Sequence, residues 1–383
     1  MLDTTSDLIS RLLTDTVTEL DIPLPLRRAA TREYERVGTW LAAHADGDAG
    51  WIVHPQGSFL LNTVVLPHAS DEYDVDTVCR REITKESTTQ ARLKHEVGGV
   101  LARYVTAHQE LDDGPLGRRE RNRCWTLHYD ATLRFHLDVL PGIPNPDMPP
   151  NGILITDRKL REWQRSNPLA YAAWFKHQAE TEFVAKRLRL AEAAHTAPQA
   201  IPDWEVKTTL HRVVQVIKAH RNEHFANDLD SRPASILVTT LAAHAYRGEQ
   251  DLYQAVLQAV DLMPDYVQDS REGLLVSNPV EPRENFADRW RHHPDLADRF
   301  FGWLDKLGED LRDAESRRGL ERVAARLSES FGEQPIEKAV DRLGDTYRRT
   351  RETGALTFSS TSGLLSTTGA IPVANHDFYG DVG

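Results

Sequence analysis

The chain has 383 residues, of which 40% are apolar and 27% charged, a composition typical of a globular protein with two or three domains. Its 46 Lys and Arg against 58 Asp and Glu give a formal charge of −12. This charge argues against a protein that mainly binds long nucleic acid through its phosphates, but it leaves open a local pocket for a small anion. The two cysteines, Cys79 and Cys124, cannot form a disulfide framework, and no apolar run reaches the ~20 residues of a membrane span. With no secretory signal pattern at the N-terminus, we expect a cytoplasmic protein.

The first half of the chain alternates helical and strand patterns. Apolar residues at helical spacing predict helices in the first 50 residues, after which strand patterns begin. In chain order we predict a second helix over 26–44, a strand over 51–54, a strand over 74–80, a helix over 87–108, and a strand pair over 121–128 and 131–140. This order predicts an α/β or α+β lobe with a small mixed sheet.

The second half of the chain is predicted to be helical. From about residue 155 the strand pattern ends, and we predict helices over 166–195, 204–224, 233–247, 249–262, 295–328 and 335–350. A proline-rich segment, 141–152, is interpreted as the connector between the lobes, and the last residues lack Lys and Arg and predict a flexible tail. The predicted domains are residues 1–152, residues 153–353 and a tail over 354–383.

A Gly-Ser turn follows the first strand. Glycine at Gly57 would let the backbone approach a ligand closely, and Ser58 at a helix start would offer its hydroxyl and nearby N–H groups to an anion. Alone, the turn is better explained as an ordinary helix cap after a tight turn.

Three aspartates carry the chemical prediction. On a strand, Asp74 and Asp76 project from one face while the alternate residues face a core, and such a pair is explained by a bound divalent cation or by a solvated strand end. On a later strand Asp138 lies opposite an apolar face, where it needs a metal or a partner such as His136 or Arg134. Three carboxylates can hold two Mg²⁺ ions, so the combination with the Gly-Ser turn predicts a nucleotidyltransferase.

The same segments resemble a known family. The pattern QGSFLLNT, DEYDVDTVC and FHLDVLP is similar to the polymerase-β-type nucleotidyltransferases, and within them to the bacterial CD-NTases, which make cyclic oligonucleotide signals in anti-phage defence. Further similar segments lie at 166–175, 214–221, 233–243 and 278–288. The resemblance implies an α+β, two-lobed cage: a polymerase-β-like core, an all-helical C-terminal lobe and the active site in the cleft between them. It also implies two Mg²⁺ ions, with Mn²⁺ as a possible substitute.

Site residues are carried over position by position. Gln56, Gly57 and Ser58 match the turn that grips phosphate. Asp74 and Asp76 match the pair that binds both metals, and Asp138 matches the carboxylate that holds the catalytic metal and helps to deprotonate the attacking hydroxyl.

Three residues of the helical lobe complete the set. Lys218 resembles a lysine that contacts the triphosphate, the alternative being a surface lysine. Ser235 follows Pro233, which suits the first helical position, and could bind the same phosphates or act as an ordinary first-turn serine. Asn285, in a segment expected to form a loop, could contact a base or ribose, or serve a turn.

The resemblance therefore predicts an enzyme that joins NTPs into a cyclic di- or trinucleotide with release of pyrophosphate, with ATP as one substrate and GTP or another NTP as the alternatives for a second. Linear oligonucleotide synthesis, transfer to another acceptor and non-catalytic nucleotide binding are the alternatives. The tail resembles those of family members that act with ubiquitin-transfer-like partners, which would make Gly383 the conjugated residue, with a disordered end as the alternative. An arginine-rich segment, 118–123, is interpreted as a solvated hairpin edge rather than a docking surface.

Overall fold

The N-terminal helices divide between the two lobes. The computed structural model describes residues 4–44, 50–66, 72–158, 162–271, 273–359, 364–367 and 369–373. Helix α1 (Thr5–Glu19) begins at a capping box in which the side chains of Thr4 and Asp7 each accept the other's backbone N–H. Its apolar face lies in the core of the helical lobe, whereas α2 (Leu24–His44) packs on the sheet.

A mixed sheet forms the first lobe. Its elements are β1 (Trp51–Gln56), α3 (Gly57–Leu60), β2 (Tyr73–Arg81), α4 (Gln90–His108), β3 (Gly117–Glu120), β4 (Trp125–His128), β5 (Phe135–Pro144), β6 (Ile153–Ile155) and β7 (Gln164–Ser166). The strand order is β1-β2-β5-β4-β3, and β6 and β7 extend the sheet beside the end of β5. Only the pairing of β2 with β5 is parallel among the described strands of this sheet. The small mixed sheet and the α+β class are confirmed.

Helices dominate the second lobe. They are α5 (Pro168–His177), α6 (Glu180–Ala193), α7 (Thr209–His224), α8 (Ser235–Ala245), α9 (Leu252–Leu262), α10 (Asp295–Ser316), α11 (Leu320–Phe331) and α12 (Glu333–Glu352). Two short hairpins, β8 (Gln268–Ser270) with β9 (Gly273–Leu275) and β10 (Ser277–Asn278) with β11 (Glu281–Asn285), interrupt them. Helix α7 is the centre of this lobe, since most of its residues are buried on all sides. No helix in the described ranges is long and apolar enough to cross a bilayer.

Several sequence expectations are wrong in detail. The helices predicted over 166–195 and 295–328 are each two helices; the second pair is separated at Gly319, whose φ of +85° favours glycine. The segment 141–152 is not a connector between lobes, because β5 continues to Pro144 and the rest turns into β6.

Two segments expected to be irregular contain strands. The segment 278–288 includes β11, which pairs with β10. Part of the predicted flexible tail forms a small sheet of β12 (Thr357–Phe358), β13 (Leu365–Ser366) and β14 (Ile371–Pro372). These strands of two to five residues are too short for a periodic sequence pattern, so only their pairing defines them. The predicted domain boundaries stay predictions, although the sheet itself extends past residue 152.

Candidate active site

Two adjacent parallel strands carry the three aspartates. In the β2–β5 register Asp76 lies beside Asp138, and Asp74 lies beside His136. The alternate residues of both strands are buried in the core of the sheet, among them Val75, Cys79, Phe135, Leu137 and Val139. The acidic side chains therefore project from the other face of the sheet, as strand alternation predicts.

The Gly-Ser turn lies directly against this acidic face. Gln56, the last residue of β1, pairs with Asp76 across the β1–β2 ladder. The next residue, Gly57, has a φ of +61°, and a Cβ built there would lie 2.3 Å from Oδ2 of Asp76. Both the backbone conformation and the close approach require glycine. The turn and the carboxylates thus form one site.

The three carboxylates differ in their hydrogen bonding. His136 Nε2 lies 2.8 Å from Oδ1 of Asp74, while its Nδ1 lies 3.1 Å from Oε2 of Glu72. Thr126 Oγ1 donates to Oδ1 of Asp138 at 2.5 Å. The suggestion that His136 is the partner of Asp138 is therefore wrong, because the imidazole lies between Asp74 and Glu72.

Their electrostatics differ accordingly. The hydrogen bond from His136 lowers the pKa of Asp74, and the same bond raises the pKa of His136 to about 9. Burial, together with the neighbouring charges of Asp74 and Asp138, raises the pKa of Asp76 to about 7. Asp76 is thus the carboxylate at which the accumulated negative charge is least compensated.

The three carboxylates suit a divalent cation by their chemistry, although their side chains are not arranged around a common metal position. No group of three or more His, Cys, Asp or Glu side chains within the described ranges has the geometry to hold a metal, and Asp74 is instead directed to His136. The donors are nevertheless carboxylate oxygens, which Mg²⁺ and Mn²⁺ prefer. Asp76 also lies near the charges of Asp74 and Asp138, and an added positive charge would reduce this repulsion.

A cleft of about 780 Å³ opens in front of the site. From the sheet lobe it is lined by Gln56, Gly57 and Asp76, and from the helical lobe by Ala234, Ile236 and Asn285, among others. The predicted position of the active site between the lobes is thereby observed. The cleft is large enough for nucleotide-sized ligands.

Lys218 connects the two lobes behind the Gly-Ser turn. Its side chain is buried, at 4% exposure, and its ammonium donates to the backbone oxygen of Thr63 at 2.7 Å. Burial and the nearby charge of Arg221 lower its pKa to about 7. The alternative of a surface lysine is therefore wrong, while its contact with a triphosphate stays a prediction.

The remaining two predicted residues make local contacts. Ser235 is the first residue of α8, and its Oγ accepts a hydrogen bond from Nη1 of the buried Arg221 at 3.0 Å. Pro233 lies before the cap residue Ala234 rather than at the first helical position. Asn285 Oδ1 accepts the backbone N–H groups of Val276 and Ala287, the turn role that was the alternative to ligand contact.

Several cleft residues were not predicted as site residues. Arg123, from the arginine-rich segment, lines the cleft and pairs with Asp157 at 2.8 Å. Its side chain is still exposed, and β3 is the edge strand of the sheet, so the interpretation as a solvated hairpin edge holds. Glu284 also lines the cleft; its pKa is raised to about 7 by burial, and it accepts from Asn278 Nδ2 at 2.7 Å. Only Thr126 had a usable signal, since alternation along the preceding strand places it on the face of Asp138. The predicted conjugation site, Gly383, lies outside the described residues.

Comparison with known proteins identifies relatives along most of the chain. The model of the nucleotidyltransferase domain of DncV-like cyclic GMP-AMP synthases matches residues 52–141, which contain the Gly-Ser turn and all three aspartates. A c-di-GMP synthase of Roseivirga ehrenbergii is 29% identical over 365 residues, 91% of each chain. The cyclic dinucleotide synthase CdnG of Bradyrhizobium diazoefficiens is 24% identical over 389 residues, 95% of this chain and 90% of that protein.

Solved structures share the fold. The CD-NTase CdnG of Bradyrhizobium diazoefficiens in complex with GTP superposes with a TM-score of 0.70 at 21% identity, covering 88% of this chain and 99% of that one. The DncV cyclic AMP-GMP synthase of Vibrio cholerae, in complex with a linear intermediate, gives a TM-score of 0.54 at 15% identity, with 87% and 89% covered. This chain therefore shares its fold, over most of its length, with each of these two solved structures.

Proposed function

We propose that the chain is a bacterial CD-NTase that joins two NTP molecules into a cyclic dinucleotide second messenger in anti-phage defence, releasing pyrophosphate at each step. The names of two curated relatives, c-di-GMP synthase and cyclic dinucleotide synthase, favour a dinucleotide over a trinucleotide. They also make GTP the first substrate to test. The acidic charge of −12 agrees with nucleotide substrates held in one cleft rather than a long nucleic acid.

One observation carries the proposal. Asp76 and Asp138 lie beside each other on parallel strands, and Gly57 brings the phosphate-binding turn within van der Waals contact of Asp76. A nucleotide whose phosphates rest on this turn would place them next to the carboxylates. The arrangement supports phosphoryl chemistry at this face of the sheet.

Divalent cations held by Asp74, Asp76 and Asp138, two Mg²⁺ ions by our proposal, would neutralise phosphate charge and acidify the attacking sugar hydroxyl. The chain's own residues position the reactants. The backbone N–H and hydroxyl of Ser58, at the start of α3, would bind the phosphates. Asp138, oriented by its hydrogen bond from Thr126, would accept the hydroxyl proton at Oδ2. The hydroxyl oxygen bonds to the α-phosphorus as the bond to pyrophosphate breaks.

The direct test is product analysis. Purified protein is incubated with Mg²⁺ and GTP, alone or with ATP, digested with phosphatase, and the surviving product is identified by mass spectrometry. We expect a phosphatase-resistant cyclic dinucleotide containing guanine. A product that phosphatase shortens would indicate linear synthesis, and NTP binding without turnover would indicate a non-catalytic protein.

The test variant is Asp76→Asn, and its matched control is Asp112→Asn. Asp76→Asn should reduce product formation about 1,000-fold or more, because it removes a charge needed to bring cation and phosphate together. Asp112 is exposed and forms no described hydrogen bond or ion pair, so Asp112→Asn should retain wild-type activity. Full activity of Asp76→Asn would refute the assignment of the site.

A further inference from the structure

A second cavity, here called the rear pocket, lies at the junction of α2, α6 and the loop before α7. Its volume is about 600 Å³, and it shares no lining residue with the cleft. The segment 62–64, which follows the Gly-Ser turn and α3, forms part of its wall. The rear pocket is therefore separate from the active site but adjacent to the segment that continues from it.

The rear pocket has a surplus of positive charge. Five cations line it against two lining carboxylates, Asp21 and Glu205, and a third carboxylate outside the lining, Glu182, pairs with Lys186 at 2.8 Å, which leaves a surplus of two positive charges. The cations are Arg27, Lys186, Arg189, Lys207 and Arg212. Asp21 already serves both Lys207 and Arg212, whose nitrogens lie within ion-pair distance of its carboxylate. One carboxylate shared by two cations leaves positive charge that an anion could compensate.

Arg27 is the strongest single indication. Its guanidinium lies 4.7 Å from the ring centroid of Phe59 and 5.2 Å from that of Trp204. It donates to Asn62 Oδ1 at 3.2 Å and to the backbone oxygen of Phe59 at 3.3 Å, and no described carboxylate lies within ion-pair distance of it. Burial lowers the pKa of Arg27 to about 10, so the group remains charged at neutral pH. A partly buried cation that is hydrogen-bonded only to neutral acceptors, with the charge of Asp21 acting from beyond ion-pair distance, is suited to bind an anion.

The rear pocket is linked to the Gly-Ser turn by the same side chains. Arg27 holds the backbone oxygen of Phe59, which follows Ser58 directly, and Lys207 Nζ donates to the backbone oxygen of Asn62 at 3.2 Å. Asn62 itself has a φ of +57°. An anion that attracts Arg27 and Lys207 would compete with these backbone acceptors and change how the segment 59–62 is held.

We propose that the rear pocket binds a small anion with two or more negative charges, and that binding there alters the Gly-Ser turn. Recognition is by charge and by the planar face of Trp204, which lies against Arg27. Phosphate and carboxylate compounds share this chemistry, and the two probes below separate them.

Binding is measured by calorimetry without turnover, in EDTA, with inorganic pyrophosphate and citrate as separate probes. Arg27→Gln should weaken binding about ten-fold or more, since it removes the central cation. Arg27 also packs on two rings, so its replacement changes packing as well as charge, and a second variant, Arg189→Glu, is needed. Arg189 lines the pocket, is exposed and forms no described hydrogen bond or ion pair. Replacing it should weaken binding about five-fold. Arg28→Glu, an exposed control outside the pocket with the same charge change, should bind within about two-fold of wild type.

The link to the turn is tested by hydrogen–deuterium exchange under the same conditions. The probe should change amide exchange in residues 58–64 of the wild type, and this change should be reduced in Arg189→Glu. Equal affinity of wild type and Arg189→Glu for both probes, or no binding at millimolar concentration, would overturn the site. Binding without any change in exchange over 58–64 would overturn the link. None of these results depends on nucleotide synthesis, so they stand apart from the test of the proposed function.

Discussion

Two aspartates in the molecule illustrate opposite treatments of a buried charge. Asp310 on α10 is 5% exposed, and its carboxylate contacts His220 Nε2 at 3.1 Å, Ser330 Oγ at 2.9 Å and the cations of Lys306 and Arg326. Burial raises the pKa of Asp310, but these hydrogen bonds and charges outweigh it and place the pKa well below its usual range. The chain itself compensates this charge completely.

Asp76 receives no such compensation. It forms no hydrogen bond or ion pair within the described residues. Its burial and the charges of Asp74 and Asp138 raise its pKa to about 7, and they outweigh the opposing charges of His136 and Lys218. A fold that can surround Asp310 with donors has left Asp76 among like charges. The difference supports our proposal that Asp76 is matched by a ligand from outside the chain, whereas the contacts of Asp310 serve stability.

The largest expected difference is in stability. Asp310→Ala should lower the free energy of unfolding by about 3 kcal/mol, because it leaves Nε2 of the buried His220 without its acceptor and removes one of the carboxylates that pair with Arg326. Urea unfolding followed by circular dichroism measures the change. The control is Glu309→Gln on the same helix, since Glu309 is exposed and forms no described ion pair, and it should change stability by less than about 0.5 kcal/mol. Equal effects of the two substitutions would remove the contrast between Asp310 and Asp76.

The sequence predicted one of these aspartates and not the other. Asp76 and Asp138 were recognisable because strand alternation depends on neighbouring residues alone, and the parallel pairing then placed them together. Nothing near Asp310 marks it as buried, because all of its partners except Lys306 come from α7 and α11. The same limit applies to Arg123 and Glu284, which only the packing of the two lobes brings to the cleft.

A second prediction concerns Lys218, the buried lysine that is predicted to contact the triphosphate. Since its pKa is lowered to about 7, the ammonium loses its proton as pH rises from 6 to 8. If it contacts the triphosphate, the KM for GTP at saturating Mg²⁺ should rise over this range in the wild type. Lys218→Met should raise the KM about ten-fold at pH 6 and make it nearly independent of pH.

The control for Lys218 is Lys85→Met, because Lys85 is exposed and lies outside the cleft. It should retain the wild-type KM and its pH dependence. A Lys218→Met protein with unchanged KM but reduced stability would assign the lysine to its hydrogen bond with Thr63 and to structure alone.

The smallest expected effect is the stability of Asp76→Asn without metal. The pKa of Asp76 is about 7 in the folded protein and about 4 in the unfolded chain, so the folded state binds the proton more tightly. Stability in EDTA should therefore fall as pH rises from 5 to 8, and Asp76→Asn should be more stable than wild type at pH 8 by on the order of 1 kcal/mol. Thermal unfolding at pH 5 and pH 8 measures both effects.

Mg²⁺ should stabilise the wild type at pH 8 and the Asp76→Asn variant much less, because a cation that relieves repulsion at Asp76 has less to relieve once that charge is gone. A variant less stable than wild type under all these conditions would mean that Asp76, like Asp310, contributes to the stability of the fold.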